Sequence, residues 1–164
     1  DTSSFKRLIL AHHQLMYRVA YAILQDSDDA QDAVQDAVTH LWEKRKELTA
    51  VNDYEAFCVT AVKRRCIDLL RKRNYRQAMT TSIVETIEDD GDISSRLETR
   101  DTLTHVMKIV ENLPANQREV LRLRSQGDCS LQEIAEITGL TNSNARTLLS
   151  RARKKLKELI HDTK

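Results

Sequence analysis

From Ile137 to Lys157 the chain carries the cations Arg146, Arg151, Arg153, Lys154, Lys155 and Lys157 and no acid. Short polar side chains are interleaved with them at Asn142, Ser143, Asn144, Thr147 and Ser150. This mixture suits a duplex polyanion. Cations set against phosphates release condensed counterions, and short polar groups can read base edges in a groove. Arg151, Lys154 and Lys155 are the phosphate candidates, which position without specifying. Asn142, Ser143, Arg146, Thr147 and Ser150 are the candidates for base readout, with Asn144 in the same DNA-binding set. Ala145, Leu148, Leu149, Ala152, Leu156, Leu159 and Ile160 fall within about 120° of arc at helical spacing, so the segment reads as a helix with one buried face.

The residues before this helix supply a turn that can aim it. Ser130 with Glu133 is a capping-box pattern. Ile134 and the small Ala135 follow, and Gly139 stands where a left-handed residue is needed. Leu140 can plug the turn into the core, and Thr141 or Asn142 can cap the second helix. This is a helix-turn-helix, whose second helix enters the major groove by its N-terminal residues. A charge run alone more often marks a solvated helix. The turn glycine, the small residue and the acid-free stretch together favour DNA.

A second cationic region spans Lys63, Arg64, Arg65, Arg71, Lys72, Arg73 and Arg76 around a single acid, Asp68. Phe57, Ala61, Arg64, Asp68 and Lys72 recur at helical spacing and predict one outward face. An aromatic beside cations fits unpaired nucleic acid, which needs stacking as well as charge; a solubilising helix end fits equally well. Cys58, Val59, Val62, Cys66, Leu69 and Leu70 form the opposite, apolar side, which makes the two cysteines small core hydrophobes. A third region has the opposite sign. Asp28, Asp29, Asp32 and Asp36, interleaved with Gln31 and Gln35, open a helix where acids suit the macrodipole, and they also offer a protein-docking face.

The elements that must carry these groups are helices. Aromatics make up 4% of the residues, and three Gly and one Pro leave little material for hairpins. The periodicity predicts helices over 4–25 after Ser3 and Ser4 as caps, then to about Leu48 after the breaker Asp26–Asp29. A third runs over about 53–73 behind an Asn52–Glu55 capping box. Residues 76–97 are rich in Thr, Ser, Asp and Glu and read as a flexible linker. Helical pattern returns from about Ser95 to Pro114 and again over 115–126, ending at Gly127. The net charge of +1 hides an acidic middle, since residues 77–101 carry seven acids against two bases, and a basic end. Three cysteines without a CxxC pair argue against a disulfide framework or a zinc site and for a reducing, cytoplasmic setting. No apolar run nears the roughly 18–20 residues of a membrane span, and no signal peptide is visible. His12, His13, His40, His105 and His161 are scattered, with no HExxH, GxSxG or phosphate-loop pattern, so no catalytic centre, metal or cofactor is expected.

Taken together, these residues resemble a known family. Asp29-Ala30-Gln31-Asp32-Ala33-Val34-Gln35-Asp36 is similar to the DAEDLVQE-type segment of bacterial sigma factors. Leu41-Trp42 and Ile67-Asp68-Leu69-Leu70-Arg71 resemble further features of the same domain. Leu113-Pro114, Arg118-Glu119, Ser130, Glu133-Ile134-Ala135, Gly139 and the run Ser150–Leu156 resemble the family's C-terminal domain. Order and domain content fit the small extracytoplasmic-function group of the sigma-70 family. Departures from the family pattern fall at Ala33, Arg64, Ala145 and Leu148.

The resemblance implies an all-α protein of two small helical domains. Residues 1–75 would bind core RNA polymerase and the −10 element, 76–96 would be the acidic linker, and 97–164 would bind the −35 element. Asp29, Asp32, Gln35 and Asp36 would dock on the polymerase clamp. Asn52 and Asp53, in the loop that holds a flipped base, with Phe57, Arg64, Arg65, Asp68, Arg71 and Lys72, would bind the −10 strand. The linker, with Glu88, Asp89, Asp90 and Asp92, would pass near the RNA path. Partners would be core polymerase, promoter DNA and an anti-sigma factor, without membrane insertion. Two competing readings are a stand-alone helix-turn-helix regulator, which usually dimerises and needs no docking helix, and a structural adaptor.

Overall fold

The computed structural model describes residues 2–78 and 102–162. Among them the chain is all-α, with no strand. The elements are α1 (Thr2–Leu24), α2 (Ser27–Glu43), a 3-10 helix (Arg45–Ala50), α3 (Tyr54–Ala78), α4 (Thr102–Glu111), α5 (Ala115–Ser125), α6 (Leu131–Thr138) and α7 (Asn142–His161). The acidic stretch with Glu88, Asp89, Asp90 and Asp92 lies outside the described residues.

α1, α2 and α3 pack against one another. Their contact is built from small and β-branched residues, with Val19, Ala20, Ala30, Ala33, Val34, Ala37 and Val62 all buried. Alanines on α2 let the three axes approach closely, while Met16 and Leu41 fill the remaining space. The corner between α1 and α2 is made without glycine. Gln25 takes the left-handed conformation at φ 55°, and its backbone N–H and side-chain amide both donate to Tyr21 O, at 2.8 and 2.9 Å. Asp26 then caps α2 by accepting from the Asp29 N–H at 3.0 Å.

α7 is the centre of the second half, against which α4, α5 and α6 pack. Ile109, Leu113, Val120, Leu123, Ile134, Ala145, Leu148, Leu149 and Ala152 are among its buried residues. Pro114 opens α5, and Arg118 closes the α4–α5 corner by donating to Glu111 O at 2.9 Å. The two halves touch, α1 against α5 and α3 against α6. One apolar cluster runs continuously from Ile23 and Cys66 through Cys129 to Ile134 and Leu149.

Several boundaries differ from the sequence reading. α1 begins at Thr2, so Ser3 and Ser4 lie inside it rather than capping it. α2 stops at Glu43, not near Leu48. The chain tightens into the 3-10 helix, which keeps Leu48 buried while Arg45 lies over the Trp42 ring at 4.1 Å. Asp53, not Asn52, caps α3 by accepting from the Ala56 N–H at 3.0 Å. α3 continues to Ala78, so the first residues assigned to the linker are helical.

Candidate nucleic-acid interface and docking faces

The turn before α7 is fixed by local hydrogen bonds. Ser130 Oγ accepts from the Glu133 N–H at 3.1 Å and Glu133 Oε1 accepts from the Ser130 N–H at 2.9 Å, the reciprocal capping box. Burial pushes the Glu133 carboxyl upward. The Ser130 hydrogen bonds and the charge of Lys63 outweigh that and hold it below the usual glutamate range. Gly139 ends α6 at φ 79°, where a Cβ would be strained, and its N–H donates to Ala135 O at 2.9 Å. Thr141 then caps α7 by accepting from the Asn144 N–H at 3.1 Å.

These caps orient α7 so that Asn142, Ser143, Arg146, Thr147, Ser150, Arg151 and Lys154 face solvent. Asn144 is half-buried beside the cap, and the exposed Thr147 hydroxyl donates to Ser143 O at 3.0 Å. Arg146 and Ser150 share a cavity of about 230 Å³ with Arg153, Arg124, Leu131 and Leu149. Arg124, on α5, extends the cationic surface beyond α7 and is itself held by donating to Cys129 O at 2.9 Å. Periodicity along α7 could not reveal it, because it belongs to another helix.

The second cationic region is arranged differently. Asp53, Phe57, Arg64, Arg65 and Asp68 line one cavity of about 840 Å³ between α2 and α3, together with His40 and Asp36 from α2. Phe57 and Ala61 are half-buried against the core rather than fully outward, so that face tilts into the cavity wall. Asn52 is exposed outside the cavity, and Arg71 and Lys72 lie further along α3. Much of the positive charge is already matched. Arg65 pairs with Asp36 at 3.0 Å, Arg71 with Asp68 at 3.4 Å and Glu136 at 2.6 Å, and Arg73 with Asp29. Arg64 and Lys72 are exposed.

The acidic residues of α2 are therefore divided. Asp29 and Asp36 turn toward α3 and pair with its arginines. Asp32 and Gln35 remain exposed, and Gln35 borders a cavity of about 550 Å³ with Gln31, Tyr17 and His13. Ala33, Ala145 and Leu148, three of the departures from the family pattern, are buried at 0–2% exposure and so shape packing, not an outer face. Burial pushes the Cys66 and Cys129 thiols up to about 12, which keeps them protonated and inert as nucleophiles.

The two halves match two family models, sigma-70 region 2 over residues 8–76 and sigma-70 region 4 over residues 104–156. The chain belongs to the sigma-70 family. Sigma factors of this kind are transcription initiation factors that direct RNA polymerase to promoters, and this chain is one of the extracytoplasmic-function group. It is 28% identical over 146 residues to the RNA polymerase sigma factor SigV of Bacillus subtilis, covering 89% of this chain and 84% of that one. It is 24% identical over 160 residues to the sigma factor SigM of Mycobacterium tuberculosis, covering 98% and 79%. In fold it is similar to the sigma factor RpoE of Bartonella quintana, solved in complex with the anti-sigma factor NepR. That match has a TM-score of 0.52 at 24% identity and covers 96% of this chain and 97% of that one. No helix among the described residues is long and apolar enough to cross a membrane.

Proposed function

We propose that the chain divides its work between two domains, residues 1–75 and 97–164, joined by the acidic segment 76–96. The observation that carries this reading is the contrast of exposed faces in one chain: Asp32 with Gln35 on α2, and an acid-free polar and cationic face on α7. The α7 face reads the −35 duplex through Asn142, Ser143, Arg146, Thr147 and Ser150, with Asn144 at the cap and Arg151 and Lys154 on phosphates. The α2–α3 cavity, with Asp53 and Phe57 in its wall and Arg64 at its edge, takes an unstacked base of the −10 strand. Asn52, Arg65, Asp68, Arg71 and Lys72 flank the path of that strand. Asp32 and Gln35, with Asp29 and Asp36 once released from α3, dock on the polymerase clamp. The chain acts without catalysing a reaction, in the cytoplasm, under an anti-sigma partner that covers one or both of these faces.

Co-purification with bacterial core RNA polymerase tests the reading. Wild type should form a complex that Asp32→Arg/Gln35→Ala abolishes. No complex with wild type, alongside salt-dependent binding of the full chain to duplex DNA, would instead support a stand-alone regulator.

A further inference from the structure

The cavity between α2 and α3 encloses about 840 Å³, and carboxylates outnumber cations on its wall by five to three. That balance is unexpected for a site that receives a polyanion. The cations are also unequally available. Arg65 is spent on Asp36, whose Oδ2 accepts from its Nε at 3.1 Å and lies 3.0 Å from its Nη2. Lys44 and Arg64 are exposed and have no carboxylate partner among the described residues. A strand that enters brings its own phosphates for them, and such contacts position without specifying.

What remains to meet the base itself is mostly acceptor. Glu43, at the end of α2, and Glu47, in the 3-10 helix, line the cavity and hold no cation among the described residues. Asp53 gives Oδ1 to the Ala56 N–H at 3.0 Å, which leaves Oδ2. Thr39 donates its hydroxyl hydrogen to Gln35 O at 2.9 Å, so its oxygen can only accept. Ionised carboxylates likewise accept and never donate. Phe57, half-buried in the same wall, offers a flat apolar surface on which a base can stack. An acceptor-rich cavity beside an aromatic favours a base edge that donates. Adenine, cytosine and guanine each carry an exocyclic amino group, whereas thymine carries carbonyl oxygens and a methyl. A thymine carbonyl placed here would leave acceptors facing acceptors, each without a hydrogen bond.

On the reading of this cavity as the −10 base site, we propose that it selects a base bearing an exocyclic amino group and rejects thymine, with Asp53 and Glu47 as the discriminating acceptors. Lys44 and Arg64 hold the flanking phosphates. Sequence preference at that position comes from the carboxylates, while the two cations set affinity and its salt dependence.

Selection by the holoenzyme tests this. Core RNA polymerase with the full chain is offered promoter templates randomised over both elements, with the −10 segment unpaired, and the bound fraction is sequenced. At one −10 position amino-bearing bases should be preferred over thymine by about tenfold. Uracil placed there, a thymine without its methyl, should be rejected as strongly as thymine, which separates hydrogen bonding from a steric clash. Asp53→Asn keeps the cap, since Asn caps as well as Asp, but puts N–H donors where only acceptors stood. That change and Glu47→Gln should each shrink the preference at this position and leave preferences at the others intact. If thymine or uracil binds there as well as the amino-bearing bases, or if neither variant alters the preference, the inference is overturned while the base site stands. If no holoenzyme forms, or no −10 position shows any preference, the base-site reading itself fails and the inference falls with it.

Discussion

α3 and α7 are both cationic helices on an apolar core, yet they present their charge in opposite ways. On α7 Arg146, Arg151, Arg153, Lys154 and Lys157 face solvent, with no acid along the stretch from Ile137 to Lys157. On α3, Lys63, Arg65, Arg71 and Arg73 each meet a carboxylate, supplied by α2, by α3 itself or by the helix-turn-helix half. Two helices of similar cationic character are therefore in different states: one turns its cations to solvent, the other is occupied by the protein's own acids. Positive charge on a helix indicates affinity for nucleic acid only where the fold leaves that charge unmatched.

The strongest way to break this contrast is to disable readout on the open helix. Arg146→Ala should weaken binding to the preferred −35 sequence by about 1–3 kcal/mol, about 5- to 150-fold, and relax specificity at one base position. Fluorescence anisotropy on matched and mismatched duplexes would check this, and an equal loss on every sequence would reassign Arg146 to phosphate. Next in size, Gly139→Ala should cost about 1–2 kcal/mol, because the left-handed turn that aims α7 would carry a Cβ; chemical denaturation measures it. Lys154→Ala should weaken binding on all sequences alike and lower the slope of log affinity against log salt by about one. An undiminished slope would remove Lys154 from the phosphate contacts.

A smaller effect sharpens the other side of the comparison. The Glu133 carboxyl titrates below its unfolded value, so its contribution to stability is fully present above the ordinary glutamate range. That contribution is lost as pH falls through the depressed folded value. Thermal melts between pH 7 and pH 3 should show this loss in the wild type and a correspondingly flatter profile in Glu133→Gln.

The parts of the site that were legible in the sequence are those set by near neighbours. Ser130 with Glu133, Gly139 and Thr141 are joined by bonds spanning three or four residues, so their pattern survives as a string of letters. The same holds for Asp26 before α2 and for the apolar stripe of α7. Boundaries failed where two local signals competed. Asn52 and Asp53 can both cap, and the geometry of the loop after the 3-10 helix chose Asp53. Leu48 fits the helical period of α2 equally well when the chain tightens after Glu43.

By itself the sequence determined an all-helical chain, a helix-turn-helix with its outward face, and the membership of both halves in the sigma-70 family. Helical periodicity and capping depend on residues a few positions apart, and family motifs are contiguous. Only the tertiary structure decided which charges are available. The pairs Asp36–Arg65, Asp29–Arg73 and Arg71–Glu136 join residues 29, 44 and 65 positions apart. Each exists because packing of the apolar cluster brings those helices within reach of one another.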